Sequence, residues 1–275
     1  MLSAPVAKTT MDIIAIGEID LGDAKMPVAI AGDGPPLVLL HGWTLDHRMW
    51  QPQLAQLGEH YRLIMPDRRG FGLSNAPADL NAETQDIVRL VDALGHDRFV
   101  LAGLSQGAAV ALAFAVRHPD RLIALALAGT PLPGLVANPD IVPREHYAAL
   151  IGQGEIADMR KEWLGHDLMR VSSREDQSLL ETIVGDYDGR DLLSPTALPI
   201  FEAAQIEKLS MPLLAIAGSR ESPWRDACAR FLASCAPQGE YVSIADAGHV
   251  ANVDQPGTFN VALLEFLAAH PQFPA

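Results

Sequence analysis

The sequence predicts an α/β fold: a mostly parallel sheet with helices on both faces. Three observations carry this expectation. Short all-apolar runs such as Leu37-Val38-Leu39-Leu40 and Phe99-Val100-Leu101-Ala102 have the composition of strands buried on both sides. Helical segments separate most of these runs, as crossovers between parallel strands require. The polar residues His41, Asp67, Ser105, Thr130 and Glu221 fall just past strand ends, where open α/β sheets carry their sites.

The elements follow in order. Ile13 to Leu21 and Met26 to Ala31 read as two strands around Gly22-Asp23, a hairpin that Gly32-Asp33-Gly34-Pro35-Pro36 ends. Leu37 to Leu40 and Arg62 to Met65 are the first two buried strands, and Phe99 to Ala102, Leu122 to Ala128, Leu213 to Ala217 and Tyr241 to Ile244 complete the set. Ala108 to Val116 reads as a buried helix and Thr258 to Leu267 as an amphipathic C-terminal one. The alternation stops between Pro131 and Ser210. There, helical candidates lie at Arg144 to Ile151, Glu155 to Leu164, Glu175 to Val184 and Pro199 to Leu209, with no convincing strand. The expected organisation is therefore a core formed by residues 11–130 and 211–270, a helical cap inserted at 131–210, and a disordered tail at 1–10. No internal repeat or low-complexity tract interrupts it.

Composition narrows the function classes. With 275 residues, 49% hydrophobic and 20% charged, the chain can bury a substantial core. A net charge of −14 repels phosphate backbones and anionic membrane surfaces, so neither nucleic acid nor membrane is an expected partner; a small neutral or weakly polar molecule is. No apolar stretch reaches the length of a membrane span, and Met1 to Thr10 lack the blocks of a signal peptide, which points to the cytoplasm. Cys228 and Cys235 lie seven apart on one helical segment, which places their Cα atoms roughly 10 Å apart, beyond disulfide reach. No histidine or cysteine spacing suggests a metal site. Oligomeric state is not legible.

Gly103-Leu104-Ser105-Gln106-Gly107, between a strand and an alanine-rich helix, has the form of a nucleophile turn. A serine hydroxyl needs a base within hydrogen-bond reach, and the base needs an acid to orient it. His249, in Asp246-Ala247-Gly248-His249-Val250 after the last strand, is the expected base. His47, His60, His96, His118, His146, His166 and His270 lack that position. Glu221, in the loop after the Leu213 strand, is the expected acid, with Asp226 the nearest substitute; Gly129-Thr130-Pro131, at the other candidate strand end, holds no carboxylate. The backbone amides of Trp43 and Gln106 are the expected oxyanion donors, the second at a helix N-terminus where its N–H is unspent. His41 is expected to buttress its loop, and Asp67-Arg68-Arg69-Gly70-Phe71-Gly72-Leu73-Ser74 to lock a turn through charge-assisted hydrogen bonds. Trp163, Tyr147, Tyr187 and Met169 could line a pocket or pack.

Together, His41-Gly42-Trp43, Asp67 to Ser74, Gly103 to Gly107, the acid position at Glu221 and Gly248-His249 occur in the order found in the α/β-hydrolase fold family, which the chain resembles over about residues 11 to 270. The resemblance implies an eight-stranded sheet, a Ser-acid-His triad, and a cap after the sixth strand. Glu221 departs from the aspartate usual in the cap-bearing subgroup. Ser105 separates the chain from the similar epoxide hydrolases and haloalkane dehalogenases, which use aspartate. Val250 stands where related C–C bond hydrolases commonly have tryptophan. The His41 to Trp50 segment is similar to carboxylesterases, 3-oxoadipate enol-lactonases, and cofactor-free haloperoxidases and dioxygenases. The expected activity is hydrolysis of a small ester or lactone through an acyl-enzyme, without metal or organic cofactor. The rivals are a ligand-sensing protein with little turnover and a cofactor-independent oxygenase or perhydrolase.

Overall fold

The computed structural model describes residues 15–270 apart from 138, 194 and 195; the expected tail at 1–10 lies outside them. The strands are β1 (Ala15–Asp20), β2 (Lys25–Ala31), β3 (Pro36–Leu40), β4 (Arg62–Pro66), β5 (Phe99–Leu104), β6 (Leu122–Ala128), β7 (Leu213–Gly218) and β8 (Gly239–Ile244). They form one sheet in the order β1-β2-β4-β3-β5-β6-β7-β8. β2 runs antiparallel to both neighbours and every later pair is parallel. Each strand read from the sequence is present, with ends shifted by a few residues; Ile13 and Ile14, where the first was expected to begin, lie outside the described residues.

The sheet's two faces divide the core. In β6 every residue is buried; Leu125 and Leu127 point into one apolar cluster, while Ala126 and Ala128 point into the other. The leucine side packs against α2 (Glu83–Ala93), α3 (Gln106–Arg117) and α9 (Pro223–Cys235) through side chains such as Leu90, Leu112 and Leu232. The opposite side packs against α1 (Leu54–Leu57) and α11 (Pro256–Ala269), which follows the one-turn α10 (Ala251–Asp254). α3 is buried from Gln106 to Ala115, and its run of alanines lets its backbone approach the sheet closely.

Between β6 and β7 the described residues hold α4 (Arg144–Gly152), α5 (Ile156–Leu164), α6 (Arg174–Asp186), α7 (Arg190–Leu193) and α8 (Ala203–Ile206), and no strand. Three of the four expected helical stretches appear at close to full length. The fourth shrinks to the single turn α8: helix starts only after Glu202, whose backbone N–H donates to the Gln205 side chain at 2.8 Å, and the preceding Pro199 lies in coil. Met159, Trp163, Leu180 and Ile183 anchor this helical segment on the core. α9 carries Cys228 and Cys235, both free thiols as their spacing requires.

Candidate active site

Ser105 sits between β5 and α3 with φ 55° and ψ −117°, a left-handed conformation rare for a residue with a Cβ and costing on the order of 1–3 kcal/mol. The turn holds because its backbone is fully engaged: Ser105 N–H donates to Ala128 O at 2.8 Å and Ala109 N–H donates to Ser105 O at 3.0 Å. It also needs glycine at 107, where a Cβ would lie 2.4 Å from His41 O and 2.5 Å from Leu40 O. The strained serine is thereby wedged against the end of β3.

His249 follows β8 and reaches back under the end of β6, with Nδ1 2.6 Å from Glu221 Oε2. Both side chains are almost wholly buried. Burial alone would push the Glu221 carboxyl up; the charge and hydrogen bond of His249, helped by Arg225, outweigh it and hold the group below its ordinary value. Glu221 also accepts from its neighbour's amide, Ser222 N, at 2.8 Å. Asp226 is turned elsewhere, to Arg230 at 2.8 Å and to the Tyr241 hydroxyl at 2.5 Å. Arg220, the residue before Glu221, pairs with Asp254 at 2.9 Å.

Ser105 and His249 line one cavity of about 230 Å³, walled by Trp43, Leu104, Trp163, Leu168, Met169, Trp224 and Val250 among others. The Ser105 Oγ contact is unexpected. It accepts from Arg225 Nη1 at 3.2 Å, and no Ser105–His249 hydrogen bond occurs among the described residues. Trp43 and Gln106 also line the cavity, and their backbone amides donate to no acceptor among the described residues. Of the aromatic and sulfur side chains weighed as lining, Trp163 and Met169 face this cavity; Tyr147 packs against Trp43 and Trp163, and Tyr187 donates to Asp191.

The loop residues around the site are locked as their chemistry predicts. His41 is fully buried; its Nδ1 meets Gly42 O at 2.8 Å and its Nε2 accepts from Arg68 N at 3.0 Å. Burial, with Arg68 beside it, brings its pKa down to about 4, so the ring is neutral and supports the loop. The Arg68 guanidinium donates to Glu83 at 2.7 and 3.0 Å, to His41 O at 2.8 Å and to the Gln106 side chain at 3.1 Å, joining β3, α2 and the nucleophile turn. Arg69 binds Asp86 and Asp23. Asp67 accepts the amides of His47 and Leu73, both at 2.9 Å. Among the described residues, Asp46, His47 and Asp67 are the one acid-histidine group compact enough for a metal, but His47 Nδ1 already meets Asp67 at 2.8 Å and Asp46 is held by Arg48.

The sequence reading missed Arg225, together with its partner Asp140. A signal was available: Arg225 stands in the first turn of α9, three residues past the Ser222 cap, where the helix dipole disfavours a cation. A residue that breaks a local rule commonly marks a site.

Comparison with known proteins places the fold. Residues 35–256 match the alpha/beta hydrolase fold family model, and the chain belongs to that family. It is 28% identical over 262 residues to a putative carbamate hydrolase RutD from Pantoea ananatis, covering 87% of this chain and 91% of the relative. A thermophilic esterase from Thermogutta terrifontis, solved with malate bound, superposes with a TM-score of 0.79 at 27% identity, over 93% of this chain and 99% of the esterase. The enol-lactonase from Burkholderia xenovorans LB400 shares the fold, with a TM-score of 0.76 at 23% identity over 92% and 100% of the two chains. The protein is thus a hydrolase by family and by relatives. No helix among the described residues is long and apolar enough to cross a membrane.

Proposed function

We propose that the protein cleaves a small carboxylic ester or lactone through a serine acyl-enzyme. The observation that carries this reading is the 2.6 Å contact between Glu221 Oε2 and His249 Nδ1, on a histidine that lines the same cavity as the strained Ser105. An ionised acid on Nδ1 keeps the proton on that nitrogen and leaves Nε2 as the basic atom. For attack, the Ser105 O–H leaves its contact with Arg225 and donates to Nε2. Oγ then attacks the substrate carbonyl as its proton passes to His249, and the negative oxygen settles on the Trp43 and Gln106 amides. Collapse expels the alcohol, or opens the lactone, with the proton returned from His249 to the leaving oxygen. Water, deprotonated by His249, then attacks the acyl carbon and releases the acid with Ser105 restored.

The helical segment at 131–210 acts in this reading as a cap. Trp163, Leu168 and Met169 contribute apolar surface over the nucleophile, which excludes water and strengthens each charged contact within. The cavity's modest volume favours a small acyl group.

The test is hydrolysis of p-nitrophenyl acetate and a lactone panel by the wild type and Ser105→Ala, with fluorophosphonate labelling of the wild type. Multiple turnovers and labelling at Ser105, both lost in Ser105→Ala, support the reading. Equal turnover by the variant would refute it.

A further inference from the structure

Arg225 is a buried cation at the nucleophile, with an exposure of 5%. Two contacts fix its guanidinium: Nε donates to Asp140 Oδ2 at 2.6 Å and Nη1 donates to Gly129 O at 2.7 Å. Nη1 has a second N–H, given to Ser105 Oγ at 3.2 Å, and Nη2 makes a single long contact to Asp140 Oδ1 at 3.5 Å. The other Nη2 N–H has no acceptor among the described residues. Anchoring α9 would need the first two contacts alone. A guanidinium brought into the cavity wall, against its helix dipole and at a desolvation cost, with one donor resting on the nucleophile and another unspent, is arranged to meet a further acceptor.

We infer that Arg225 is the subsite for an anionic group on the acyl portion of the substrate, so that the preferred substrates are half-esters of short dicarboxylic acids or lactones that carry a carboxylate. This rests on the ester or lactone hydrolase reading above. The acyl side follows from geometry: the acyl carbon is the atom that bonds to Ser105 Oγ, which Arg225 touches, whereas the leaving oxygen must lie toward His249. A carboxylate a few carbons from the carbonyl reaches the Nη1 and Nη2 edge that faces the cavity. It accepts the two donors in the forked geometry guanidinium favours, and its arrival draws Nη1 off Oγ, freeing the hydroxyl for His249. The remaining cavity walls are largely apolar, so a carboxylate placed elsewhere would go unpaired. Arg144 is the other cation of the wall, and it is already committed to Asp191 at 3.2 Å and stacked over the Trp43 ring. The acidic surface alone had pointed to a neutral substrate; the Nη1 and Nη2 donors of Arg225 beside Ser105 point the other way.

The experiment compares kcat/KM for monomethyl glutarate and methyl hexanoate, by methanol release, in the wild type, Arg225→Met, Arg225→Lys, Asp140→Asn and Arg144→Met. The wild type should favour the half-ester by about tenfold or more, the worth of one charge-assisted hydrogen bond. Arg225→Met should erase that ratio and Arg225→Lys retain part of it. Asp140→Asn, which keeps an acceptor for Nε but removes the neutralising charge, should raise it. A structural role for Arg225 would not move the ratio in opposite directions. A wild type that prefers methyl hexanoate, or a ratio lost in Arg144→Met and kept in Arg225→Met, would overturn the inference while leaving ester hydrolysis standing. Calorimetric binding of monomethyl glutarate to Ser105→Ala separates the subsite from the chemistry. Tighter binding than methyl hexanoate, lost in the double variant with Arg225→Met, supports the subsite even if neither ester turns over; equal binding of the two esters overturns it.

Discussion

The imidazole of His249 occupies the space that a side chain at Gly129 would fill. A Cβ there would lie 2.5 Å from His249 Cε1 and 2.7 Å from Nδ1, and the glycine has φ +56°. The residue directly after β6 thus sets where the base stands. Gly129→Ala should displace the ring and lower kcat by about 100-fold, the scale expected for an ångström of misplacement. The displacement should register as an altered His249 imidazole resonance by NMR in a protein that still folds.

Ser105 trades stability for position. Because glycine tolerates its backbone angles, Ser105→Gly should relieve strain and raise stability by about 1 kcal/mol or more in urea unfolding, while abolishing ester turnover. A variant less stable than the wild type would show that the turn is not strained.

Glu221→Gln should keep the fold and lower kcat by about 10⁴-fold, since an amide can hold Nδ1 in the wrong tautomer. Glu221→Asp should recover part of the rate. The carboxyl's folded pKa lies below its ordinary 4.5, so its ionised form adds stability that is fully present above that value and lost as pH falls through the depressed one. Acid unfolding curves of the wild type and Glu221→Gln should therefore converge at low pH.

His41 makes a separate pH prediction. Its pKa falls from 6.5 to about 4 on folding, so the unfolded chain binds more protons between those values. The stabilisation is fully present above pH 6.5 and declines by about 3 kcal/mol as pH falls toward 4. In His41→Gln the dependence of unfolding free energy on pH over that window should be shallower by that amount, as measured by urea melts at fixed pH.

The Arg68–Glu83 pair is buried on both sides. Glu83→Ala leaves a guanidinium without its carboxylate and should destabilise the protein by about 3–5 kcal/mol. Arg68→Met combined with Glu83→Leu should cost less than Glu83→Ala alone, a non-additivity that a double-mutant cycle would measure.

Local chemistry made much of this protein legible from its residues. Buried strands need apolar side chains on both faces, so Leu37 to Leu40 and Leu122 to Ala128 declared a parallel sheet, and the strand-end positions of Ser105, Glu221 and His249 made them the proposed triad. Glycines flanking Ser105 were equally readable, because only a residue without Cβ permits such close backbone approach. The choice of Glu221 over Asp226 was not settled locally, since one lies in the loop after β7 and the other in the first turn of α9; the direction each side chain takes depends on what packs around it. The environment of Ser105 Oγ was hidden for the same reason. Arg225 is 120 positions away and Asp140 lies in a different segment again. Their meeting depends on how α9 and the chain leaving β6 pack across the end of the sheet. Charge counted along the chain pointed to a neutral ligand; the field at the nucleophile is set by the few groups that folding brings within hydrogen-bond distance, because Coulomb interactions strengthen as water is excluded.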